Sequence, residues 1–113
     1  GLHAEAYSGA EVHHGPMALA ASTHPFLVFA LPGPALQDLL ALAANLRARG
    51  VPVLLAAPPG VAGADLPLAS AHHEDLSPLL AIQSFYGFVE ALSRARGLDP
   101  DVPPHLSKVT RTR

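Results

Sequence analysis

Two uninterrupted apolar runs, FLVFAL at residues 26–31 and VPVLLAA at residues 51–57, constrain the fold of this chain more than any other feature. Hydrophobicity that continues without alternating marks a strand buried on both faces, as in a parallel sheet with helices on either side. Between the runs, Leu36, Leu39, Leu40, Ala43 and Leu46 recur at helical spacing, while Gln37, Asp38, Asn45, Arg47 and Arg49 take the other positions. Pro34 suits the first turn of that helix and Gly50 its end. The expectation is a βαβ unit with a right-handed crossover.

The remaining pattern extends this α/β reading. Residues 58–64, PPGVAGA, form a glycine and proline loop that lacks the GxGxxG and GxxxxGK[ST] spacings of a phosphate cradle, and residues 66–69 supply a short edge strand. Ser77 and Pro78 are a cap and first-turn pair for a last helix that runs to Gly97. Its apolar stripe is Ile82, Phe85, Tyr86, Val89 and Leu92, widened by Phe88, and its aromatics are expected in the core. Residues 98–113 carry three prolines and no helical period. The fold class is α/β, part of a doubly wound parallel sheet with flanking helices, ending in an irregular tail. A length of 113 residues allows one domain and is small for a complete doubly wound unit.

Titratable groups concentrate in residues 3–16, HAEAYSGAEVHHGP. Only 14% of the chain is charged, yet this stretch holds His3, Glu5, Glu11, His13 and His14. Residues 4–12 are mostly good helix formers, so a short helix is expected, stopped at Gly15-Pro16 with His14 at its end. The competing reading is a solvated surface helix, since adjacent histidines point to different sides. A net charge of −2 offers no footprint for nucleic acid. No apolar run reaches membrane-spanning length, and the amino terminus lacks signal-peptide character. With no cysteine, there is neither a disulfide framework nor a thiolate metal site, which suits a cytoplasmic location. The seven histidines show no HExxH spacing, so neither a metal nor any other cofactor is expected.

HAEAYSGAEVHHGPMAL resembles a motif of the sugar isomerase (SIS) domain, as found in the isomerase half of glutamine:fructose-6-phosphate aminotransferases and in glutaminase-less, isomerising glucosamine-6-phosphate deaminases. The likeness continues through LLALAANLRARGVPVLLAA, SPLLAIQSFYGFVEALSRARGLDPD and PPHLSKVTRTR. It implies that residues 1–113 are the C-terminal portion of one SIS domain, with residues 97–113 as a tail and further strands and a first SIS domain upstream. It implies a phosphorylated sugar substrate, and a homodimer in which His14 opens the sugar ring at a site shared between subunits. Lys108, the only lysine in the chain, matches the family's tail lysine, which is associated with a Schiff base to the open-chain sugar. Glu5, Glu11 and His3 are expected to organise the site through hydrogen bonds. The family's general-base glutamate and phosphate-binding loops have no counterpart in this sequence. His13 and the ending KVTRTR are more similar to the deaminase-type branch than to the glutamine-dependent one. The alternative is a regulatory SIS module that senses a sugar phosphate without catalysis.

Overall fold

The computed structural model describes residues 2–19, 24–102 and 104. Helices α1 (Gly9–His14) and α2 (Pro16–Leu19) precede strand β1 (Phe26–Phe29), helix α3 (Leu36–Ala48) and strand β2 (Val53–Ala57). Strand β3 (Leu66–Pro67), a 3-10 turn (Glu74–Leu76) and helix α4 (Ser77–Ala95) complete the order. The strands form one parallel sheet, β1-β2-β3, with Phe26 opposite Val53 and Ala56 opposite Leu66. Both continuous apolar runs are therefore adjacent parallel strands, and the segment around residue 66 is indeed the edge.

Alternation along each strand divides its side chains between two layers. Val28, Ala30, Leu55 and Ala57 pack against Ala43 of α3, with Leu36, Leu39 and Leu40 around them. On the opposite face Ala56 and Leu68 meet Ala81 of α4, with Leu27, Phe29 and Leu66 beside them. Helices α3 and α4 end alike. Gly50 and Gly97 take positive φ of 79° and 72°, and their N–H groups donate to Arg47 and Arg94 carbonyls. The next residues, Val51 and Leu98, donate to Leu46 and Ser93, which satisfies carbonyls the helix leaves open.

The glycine-rich loop before β3 is held by Arg47. Its guanidinium donates to the carbonyls of Gly63 (3.1 Å) and Val53 (3.2 Å) and to the Asp65 carboxylate. Asp65 also accepts the Leu55 N–H at 2.7 Å, so one carboxylate joins helix, strand and loop.

Three expectations need correction. The first helix begins at Gly9, not at residue 4, because Ser8 and Glu11 form a capping box that stops the helix from growing backwards. Ser77 does not cap α4; it is the helix's first residue and is buried, while His73 accepts the Asp75 N–H one turn earlier. The α4 stripe also divides. Phe85 meets Phe29 edge-on at 6.0 Å, but Ile82, Tyr86 and Val89 are exposed. The sheet is faced by Ser77, Ala81, Ser84, Phe85 and Phe88, and at about 100° per residue the exposed residues lie roughly a third of a turn away.

Candidate functional site

The polar stretch of residues 3–14 is carried on the α3 side of the molecule. Val12, buried on α1, packs with Leu42, Leu46 and Val51, and Met17 of α2 joins the same cluster. Gly9 permits this closeness, since a Cβ there would stand 3.0 Å from Leu39 Cδ2. Contact with Leu39 at one end and Leu46 at the other makes α1 run alongside α3 in the same direction. The end bearing His14 therefore lies toward the beginnings of β1 and β2. Residues 2–8 enter at the opposite end.

Within this frame the sequence-derived residues fall into three groups. His3 Nε2 lies 3.0 Å from Glu5 Oε1, and the Tyr7 hydroxyl donates to the other Glu5 oxygen. Residues 2–8 lie outside any helix or strand, and His3, Glu5 and Tyr7, spaced two apart, meet there without a helix. Glu11 belongs to the cap: its Oε2 accepts the Ser8 N–H at 2.7 Å, and its own N–H donates to Ser8 Oγ at 3.3 Å. His14 is the last residue of α1, exposed, and followed by the C-cap Gly15. Glu11 and His14, three apart, occupy neighbouring positions on the helix surface. Lys108 lies outside the described residues.

The electrostatics assign these carboxylates a supporting part. The Tyr7 hydroxyl, and after it His3, hold Glu5 below the ordinary glutamate range, while the Glu5 carboxylate raises Tyr7. Glu11 is lowered by the Ser8 backbone N–H and then by the Ser8 side chain. A carboxylate held in its ionised form is a weak proton acceptor near neutrality and a firm hydrogen-bond acceptor. Among the described residues no three His, Asp or Glu side chains converge as metal ligands. A cavity of about 140 Å³ lies on the other face, between sheet and α4, lined by Leu27, Phe29, Ala56, Phe85 and Phe88. Its lining is largely apolar and includes none of His3, Glu5 and His14. Sequence reasoning passed over Tyr7 and Ser8, although the His-x-Glu-x-Tyr alternation and the Ser-x-x-Glu box both announce them.

Comparison with known proteins fits this arrangement. No protein-family model matches the chain. Isomerizing glutamine–fructose-6-phosphate aminotransferases from Nostoc sp. and Gloeobacter violaceus are 34% and 32% identical to it, each over 95% of this chain. A solved structure named a phosphosugar isomerase, from Silicibacter pomeroyi, superposes with a TM-score of 0.69 at 36% identity, covering 84% of this chain and 29% of that one. The chain belongs to the sugar isomerase (SIS) domain family. It spans about 18% of the length of the curated relatives it matches, so the SIS features described here are those of one part of such proteins. Among the described residues of this SIS chain no helix is long and apolar enough to cross a membrane.

Proposed function

We propose that this chain is the C-terminal portion of an SIS domain in an enzyme that interconverts fructose 6-phosphate and glucosamine 6-phosphate. The observation that carries the reading is His14: exposed at the end of a short helix whose other side is locked into the core by Val12. Ring opening moves a proton between the ring oxygen and the anomeric hydroxyl, a task for an imidazole held on a firm support. His14 takes that role at a site shared with a second subunit of a homodimer. His3 and Tyr7 orient Glu5, and Glu11 steadies the helix end. Lys108 supplies the amine that condenses with the open-chain carbonyl, and the general base and phosphate loops come from chain outside these residues.

Between the two branches, His13 and the ending of residues 108–113 support deamination or isomerisation without glutamine. The sensor alternative has less support, because binding alone has no use for an amine nucleophile or a ring-opening histidine.

The test is His14→Asn in the protein of native length. Turnover of cyclic substrate should fall on the order of a hundredfold, while affinity for the phosphosugar stays within about twofold. Parallel loss of rate and affinity, or no loss of either, refutes the role. In the same assay the native protein should release ammonia from glucosamine 6-phosphate without glutamine, and absolute dependence on glutamine would refute the deaminase branch.

A further inference from the structure

Along β2 the main chain serves two neighbours in turn. The Ala56 carbonyl accepts from Ala30, on the β1 side, whereas the Leu55 and Ala57 carbonyls accept from Asp65 and Leu68, on the β3 side, each at 2.9 Å. The Leu55 N–H donates to a side chain, the Asp65 carboxylate at 2.7 Å, so a carboxylate supplies one rung of the ladder.

That rung is steadied by Arg47. One guanidinium nitrogen donates to the Asp65 carboxylate and the Val53 carbonyl, and the other to the Gly63 carbonyl. The turn bonds of the loop, from Val61 to Pro58 and from Ala64 to Val61, stay within it and tie it to nothing else. Its apolar anchors are Val61, packed against the α3-side cluster, and Leu68, buried on the other side of the sheet. The Arg47 and Asp65 side chains are 35% and 41% exposed, so water competes for their contact and the tie is one that can be released.

We propose that residues 58–69 open and close as one unit, with the Arg47–Asp65 contact as its latch, while β1, β2 and α1 stay closed. Strand β3 is two residues long and contributes little pairing of its own. A segment with few buried apolar contacts and partly exposed hydrogen bonds opens well before the whole fold does. Opening bares the Leu55 and Ala57 main-chain groups, an outer edge that another strand can pair with, so the latch also keeps that edge covered. This inference concerns the fold and stands apart from the sugar-phosphate chemistry.

Hydrogen exchange in the protein of native length, resolved to single amides by mass spectrometry, tests the latch. In Arg47→Met the Leu55, Asp65 and Leu68 amides should exchange together, on the order of tenfold faster than in the unsubstituted protein, while the Phe26 and Ala30 amides stay within about twofold. Arg47→Lys should resemble Arg47→Met, because an ammonium cannot reproduce the planar fork that reaches Asp65 and two carbonyls. Asp65→Asn keeps the size of the side chain and an acceptor for the Leu55 N–H, and should speed exchange at Leu68 by about threefold. It carries the test should Arg47→Met fail to fold. Unchanged exchange at Leu55 and Leu68 overturns the latch, and equal acceleration at Phe26 and Ala30 overturns the separate unit.

Discussion

The two faces of the sheet are covered by helices of similar apolar content, yet only one of them is a packed interior. On the α3 face Leu42, Ala43 and Leu46 are buried, α1 adds Val12 as a further layer, and Leu46 is the largest fully buried side chain among the described residues. On the α4 face only Ser77 and Ala81 are buried, a cavity remains beneath the helix, and four large apolar residues look outward. Nineteen residues of apolar-rich helix do not by themselves make a core. What counts is which positions become buried against the sheet, and on α4 these are the small Ser77 and Ala81, while Phe85 and Phe88 are only partly covered. The difference is one of support: the α3 face anchors α1, which ends at His14, through Val12, whereas the α4 face is loosely filled.

The largest expected effect should appear where that contrast is sharpest. Leu46→Ala removes a buried side chain tied to Val12 and Val51, and chemical denaturation should show a loss of about 3 kcal/mol. Ile82→Ala, at the same chemical change in an exposed position, should alter single-chain stability by less than about 0.5 kcal/mol. Equal losses at the two positions would dissolve the comparison. A smaller effect concerns pH. Glu11 is lowered in the folded chain, so its contribution is complete above the unfolded-state value and disappears as pH falls through the lower folded one. Acid titration should therefore loosen α1 below the ordinary glutamate range, and Glu11→Gln should remove that acid dependence. Identical acid profiles for the two chains would separate Glu11 from the cap.

The parallel βαβ unit was legible because continuous apolar runs leave a strand few alternatives. Helix boundaries were less so: Ala4, Glu5 and Ala6 favour a helix individually, and only the reciprocal Ser8–Glu11 bonds show why it begins after them. On α4 the sequence displays apolar positions but not which of two surfaces each serves, since both sheet-facing and solvent-facing rows obey the same period. The site was partly legible in the same way. His14 stands at the helix end as its Gly-Pro neighbours indicate, whereas the clamp of His3 and Tyr7 on Glu5 forms in a non-helical stretch that the composition of residues 4–7 argues against.

The chemical half of the account joins the polar stretch on the α3 face to the single lysine of the tail, and that amine admits a direct measurement. In the protein of native length, fructose 6-phosphate opened to its ketone should condense with the Lys108 amine, losing water, and borohydride should deliver hydride to the imine carbon to fix a secondary amine. The account predicts a sugar adduct on the peptide containing Lys108, and none in Lys108→Arg, where a guanidinium keeps the charge without forming the imine. An adduct mapped to another residue, or full activity in Lys108→Arg, would contradict it.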